Sequence, residues 1–136
     1  MNQIATKRIL ILEDDPRVAK ALTARLRGAG YLVVSAPDPG FGVIMAATHP
    51  PDLIISDIWM PVMQGLHFMR QKDALGLPRV PVIFITASRQ EGLWETAMNL
   101  GAAGYFEKPY DPDQLLRAVA RSFQPAPAAA ARPVAW

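Results

Sequence analysis

The sequence predicts an α/β fold, an open, doubly wound parallel sheet built from five βα units. Three observations carry that prediction. Short apolar runs rich in β-branched residues recur at intervals of roughly 20 to 30 residues, the spacing of βα units and not of hairpins. The runs are continuously apolar, as in strands buried on both faces under covering helices. Between them, apolar positions repeat at helical spacing behind capping residues.

The first run, Ile9 to Leu12, is followed by Asp15-Pro16, an N-cap with proline at the first helical position. Val18, Leu22 and Leu26 then line one face, and Gly28 and Gly30 stop the helix. Leu32 to Val34 form the second strand, and the helix behind it carries Phe41, Ile44 and Met45 and ends at Pro50-Pro51. The third strand is Leu53 to Ile55, with Leu66, Met69 and Leu75 suiting an amphipathic helix between Gly65 and Gly76. Val80 to Ile85 precede a helix over Glu91 to Leu100, read from Leu93, Ala97 and Leu100. Gly92 weakens that helix by up to about 1 kcal/mol relative to alanine. A weaker fifth strand, Tyr105-Phe106, leads into Asp111-Pro112-Asp113-Gln114, where Gln114 is placed to close a capping box ahead of Leu115, Leu116 and Val119. After Phe123 the composition turns to alanine and proline, a tail or linker over residues 124–136.

The 136 residues fit one domain, spanning 7–123 behind an N-terminal extension over 1–6, and they suffice for a core without disulfides or structural metal. With no cysteine, thiol catalysis and thiolate metal sites are excluded. Charged residues make up 19%, with both signs scattered and a net charge of +2, so nothing here reads as a nucleic-acid-binding arm. No apolar stretch approaches the roughly 18 residues that span a bilayer. The run at Ile9 ends in Glu13-Asp14-Asp15-Pro16 without a cleavage site, so a soluble cytoplasmic protein with no membrane partner is expected.

Ligands of open parallel sheets bind outside the carboxyl ends of the strands. Those ends here offer Glu13, Asp14 and Asp15, then Asp57, Thr86 and Lys108. If the first and third strands are neighbours, Glu13, Asp14 and Asp57 converge, and a hard divalent cation such as Mg2+ relieves their repulsion. Adding a lysine and a hydroxyl completes the parts that phosphoryl transfer needs. The nucleophile must be a carboxylate, since there is no cysteine and no histidine at a strand end. His49 and His67 read as surface or packing residues.

The segments Ile9 to Pro16, Pro51 to Pro61 through Gly65, Val82 to Ser88 and Gly101 to Pro109 carry a resemblance. In order and spacing, from about Lys7 to about Phe123, the chain resembles bacterial response regulator receiver domains of the chemotaxis-regulator type. The resemblance implies a flavodoxin-like sheet of order 2-1-3-4-5. It makes Asp57 the phosphoacceptor, with Glu13, Asp14 and the backbone carbonyl of Trp59 joining it around Mg2+ (or Mn2+). Thr86 becomes the hydroxyl that bonds the phosphoryl group, Lys108 its cationic partner and Tyr105 the aromatic that follows Thr86, with a cis Lys108-Pro109 bond. Implied partners are a sensor histidine kinase or histidine phosphotransfer protein, and a downstream protein target or tethered output domain. Two copies pairing through the face of the last two helices is a further expectation, and direct nucleic-acid binding by this chain is not expected.

Such a protein is a switchable binding module with intrinsic transfer chemistry, not an enzyme. A phosphatase using an aspartyl-phosphate usually needs a second acid two residues after the nucleophile, where Trp59 stands. A flavin module of this topology needs a neutral phosphate loop after the first strand, where Glu13-Asp14-Asp15 would repel phosphate. A receiver that never becomes phosphorylated fits poorly with a complete residue set. Two positions depart from the family's habit. Trp59 and Ser88 occupy sites that influence water access, and an indole there predicts slow hydrolysis of the acyl phosphate. Trp94, with Met98 four residues on, either closes the core edge or joins Tyr105 and the last helix in a docking face. Length leaves no room for an output domain, so the chain reads as a stand-alone receiver or the receiver part of a longer regulator.

Overall fold

A computed structural model of the chain describes residues 6–58, 72–74, 76–77 and 79–124. The apolar runs become strands β1 (Arg8–Leu12), β2 (Leu32–Ala36), β3 (Leu53–Asp57), β4 (Val82–Thr86) and β5 (Gly104–Glu107). Every neighbouring pair is parallel, and the order is β2-β1-β3-β4-β5. Burial explains the hydropathy that marked them. All five residues of β3 and of β4 are buried, whereas edge strands β2 and β5 keep exposed or half-buried positions. The sheet is the doubly wound, flavodoxin-like arrangement in the expected order.

Among the described residues there are four helices, α1 (Pro16–Gly28), α2 (Pro39–Thr48), α3 (Leu93–Asn99) and α4 (Pro112–Ser122). The alternation of side chains along each strand feeds two cores. Ile9, Ile11, Ile55, Ile83 and Ile85 meet Leu22 and Leu26 of α1 and Leu115, Ala118 and Val119 of α4. On the other face, Leu10, Leu12, Ile54 and Phe84 meet Ala46 of α2 and Leu93 and Ala97 of α3. The helix expected between Gly65 and Gly76 falls largely outside the described residues.

The caps follow the sequence closely. Asp15 accepts from the Arg17 amide and Asp111 from the Asp113 amide, each ahead of a proline. The Asp111 bond reaches two residues on, where the capping box through Gln114 calls for three. Asp38 caps α2 by accepting from the Phe41 amide at 2.8 Å.

Two expectations need correction, and the facing of α2 is settled. Helix α3 starts at Leu93, not Glu91, because Gly92 sits at φ +84° as the N-cap, a left-handed conformation that ends the loop instead of weakening the helix from within. The fourth strand begins at Val82, after Pro81, not at Val80. On α2 the buried positions are Gly42 and Ala46, while Phe41 and Ile44 face outward. Gly42 is required there: a Cβ would overlap the buried Leu12 side chain, so this helix lies against β1 more closely than a larger residue allows.

Candidate functional site

The register of the sheet assembles the rim. Leu12 of β1 pairs with Ser56 of β3, so Glu13, the next residue, lies beside Asp57 at the carboxyl end. Asp57 pairs with Ile85 and Thr86 with Glu107, which brings the hydroxyl and Lys108 to the same rim. One carboxylate oxygen each from Glu13, Asp14 and Asp57 lies within 4.8 Å of the other two. Asp57 and Thr86 are the last residues of their strands, one position earlier than a loop placement would give.

Lys108 ties the buried acids together. Its Nζ donates to Glu13 Oε1 at 2.8 Å and to Asp57 Oδ2 at 3.2 Å, and the Asp15 amide donates to Glu13 Oε2 at 3.1 Å. The Lys108-Pro109 bond is cis, as expected. Burial still dominates the carboxylates. Glu13, 2% exposed, is pushed up to about 7 by loss of solvent, against the pull of the Lys108 hydrogen bond. Asp57 is raised for the same reason, with Lys108 opposing. For Lys108 itself burial favours the neutral amine, but the Glu13 hydrogen bond and the Asp57 charge outweigh it and raise the pKa.

Among the described residues, one ammonium is hydrogen-bonded within a cluster of three carboxyl groups. The donor set is entirely oxygen, two members are buried and Asp14 is open to solvent. Those properties suit a hard divalent cation that keeps part of its water shell. Trp59, whose carbonyl was expected to join them, lies outside the described residues.

Thr86 is fully buried, and its Oγ1 accepts from the Ser88 amide at 3.0 Å. A hydroxyl that accepts still has its proton to donate. Tyr105 is half-buried against the core on the α3 side, and burial, followed by the charges of Glu107 and Glu95, raises its phenol. Trp94 is 54% exposed and Met98 38%, so Trp94 does not close the core edge. Trp94, Tyr105, Phe106, Tyr110 and Gln114 line a surface groove of about 520 Å³.

One contact was missed from the sequence. Arg89, in the loop after β4, pairs with Glu107 at the end of β5, and its other nitrogen approaches the Lys108 carbonyl. The residues are far apart along the chain, and only the Thr86 to Glu107 register places them together.

A doubly wound sheet with a lysine-bridged acidic rim defines an α/β domain with a candidate cation site at the carboxyl ends of its strands. The family model for the response regulator receiver domain matches residues 9–120, and the chain belongs to that family of two-component signalling domains. PilH of Pseudomonas aeruginosa is 38% identical over 114 residues, 82% of this chain and 93% of PilH. The transcriptional regulatory protein DltR of Streptococcus agalactiae is 36% identical over 109 residues, 80% of this chain but 48% of DltR, so the chain spans about half of that regulator. A solved CheY-like receiver domain protein from Methanospirillum hungatei superposes with a TM-score of 0.78 at 28% identity, covering 86% of this chain and 93% of that one. Among the described residues no helix is long and apolar enough to cross a membrane.

Proposed function

We propose that Asp57 accepts a phosphoryl group from the phosphohistidine of a sensor histidine kinase or histidine phosphotransfer protein, and that this switches a docking face. The observation that carries the reading is the Lys108 bridge between Glu13 and Asp57, with the Asp14 carboxylate beside it. An oxygen of Asp57 forms the new bond to phosphorus as the phosphorus–nitrogen bond of the donor breaks and the electron pair leaves on the imidazole. Glu13, Asp14 and Asp57 would hold Mg2+ (or Mn2+), which when bound supplies positive charge against the phosphoryl oxygens. Lys108 keeps its bond to Glu13 and turns its second one from Asp57 to a phosphoryl oxygen. Thr86 donates its free proton to another.

That inward bond draws the loop of Ser88 toward the rim, and Tyr105 on the next strand follows. The groove of Trp94 and Tyr105 is then the surface whose population shifts, for a downstream protein target, a tethered output domain or a second copy. An apolar groove of about 700 Å³ between α1 and the Pro109-Tyr110 turn opens next to Lys108, which suits a helix that presents the phosphohistidine. Residues 7–123 are on this reading the receiver and 124–136 a tail or linker, in a cytoplasmic protein whose role is signalling, not turnover.

Incubation with Mg2+ and a small acyl phosphate should add one phosphoryl group by intact mass, and Asp57→Asn should lose it. No adduct with any donor would replace this reading with that of an unphosphorylated receiver. In the phosphorylated protein, Trp59→Asn should speed decay of the adduct, and an unchanged rate would remove the indole from the account.

A further inference from the structure

Helix α2 is apolar all round. None of its ten residues, Pro39 to Thr48, is ionisable, although such helices belong inside a core and this one lies on an edge strand. Its outward stripe is Gly40, Phe41, Ile44, Ala47 and Thr48, with Phe41 44% and Ile44 55% exposed. Leu32, at the start of the adjacent edge strand β2, is 48% exposed. Three of the five exposed large apolar side chains among the described residues therefore lie along one edge of the sheet. The Thr48 hydroxyl donates to the Ile44 carbonyl at 2.9 Å, so the stripe brings no unmet donor to an interface.

We infer that this edge is a self-association surface whose occupant is a second copy of the chain, with the two α2 helices antiparallel about a two-fold axis at Ile44. The pattern is self-complementary in size. Such an axis sets Phe41 against the second copy's Ala47 and Gly40 against its Thr48, large opposite small at both ends, while Ile44 meets its own copy. Charge favours the same occupant. A partner specified by charge finds no counter-charge on α2, whereas two neutral stripes meet without repulsion, and the net charge of +2 adds little.

The area sets the strength. A ten-residue helix is about 15 Å long and about 10 Å wide, well short of the roughly 800 Å² per partner of a stable interface even with Leu32 and the β2 edge added. The dimer is accordingly weak, forming at concentrations of about 0.1 to 1 mM. It lies at the sheet edge opposite β5, so it leaves the groove of Trp94 and Tyr105 open in both copies.

Sedimentation velocity of the whole chain should give the monomer mass at about 10 µM and a mass rising toward twice that at about 1 mM. Ile44→Glu and Ile44→Lys, both at an exposed position and each checked for an unchanged melting curve, should stay monomeric alone. Their equimolar mixture should regain the association, because only a two-fold contact at residue 44 faces Glu with Lys. A monomer at every concentration would overturn the proposal, and so would an association that survives Ile44→Glu, including one abolished instead by Trp94→Glu. Failure of the mixture to associate would overturn the two-fold arrangement.

Discussion

The two edges of the sheet both expose large apolar side chains, yet they are built differently. At the β5 edge Trp94 and Tyr105 sit among Glu95, Glu107 and Arg89, and the backbone there is tied to the rim by the Lys108 amide, which donates to the Thr86 carbonyl at 2.7 Å. At the β2 edge the α2 surface carries no charge, and its link to the rim is the Glu13 amide bonded to the Ala36 carbonyl at 3.0 Å. On the proposed reading, the β5 edge has side chains whose partners would change on chemistry at Asp57. The β2 edge has a backbone hydrogen bond and close packing, with no side chain that the proposed phosphoryl group would re-pair. Within one fold, the proposed function then separates a surface that would report the site from one that would not.

The strongest way to break that comparison is to remove the ammonium that joins the rim. Lys108→Met should slow formation of the Asp57 adduct about 100-fold, the scale for loss of one positioned donor to developing charge. Hydrogen exchange should then show the phosphoryl-dependent change lost at residues 104–107 and no change over α2 at any time. An adduct formed at the parent rate would take Lys108 out of the transfer step.

The β2 edge is broken through its seat. Gly42→Val places a branched side chain where the Leu12 Cδ2 methyl already is, and Leu12 is fully buried in the core. Alanine in place of glycine gains up to about 1 kcal/mol in a helix, but valine gains less, and overpacking costs about 1–3 kcal/mol, so the clash decides the sign. Chemical denaturation should read a net loss of about 2 kcal/mol, with the rim still able to accept a phosphoryl group in the folded fraction. An unchanged midpoint would mean that α2 shifts outward at no cost.

What the sequence disclosed divides along the same line. Strands buried on both faces announce themselves because nothing polar interrupts Ile9 to Leu12 or Val82 to Ile85, and acids immediately behind such runs fall on the rim by topology alone. Helix α2 was legible as a helix but not in its facing, because a helix apolar on every side has no period to say which stripe faces inward. There Phe41 and Ile44 are exposed and the small Gly42 is buried. The Arg89 to Glu107 pair was invisible for another reason, since strand register is not written in local sequence.

Acidity sharpens the comparison next. Glu13 holds its proton more tightly folded than unfolded, with a pKa of about 7 against an ordinary 4.5. Its contribution to stability is complete below about pH 4.5 and is lost as pH rises through about 7, on the order of 2 kcal/mol of it between about pH 5.5 and 8. Metal-free protein should melt lower at pH 8 than at pH 5.5, and saturating Mg2+ should restore most of the difference at pH 8. Glu13→Gln should flatten the metal-free profile. A profile equally steep in that variant would assign the pH dependence elsewhere.

The smallest effect tests the strap between loop and strand. The Arg89 and Glu107 side chains are 65% and 48% exposed, and an exposed ion pair contributes about 0–1 kcal/mol, so Arg89→Ala should leave the melting curve nearly in place. The pair still spans the strand that carries Tyr105 and the loop that, on the proposed reading, moves when Thr86 is drawn inward. Its loss should raise amide exchange over residues 87–91 in the unphosphorylated protein and leave exchange over α2 untouched. Equal acceleration at both edges would mean that the strap supports the whole sheet, and the separation of a responsive edge from a static one would fail.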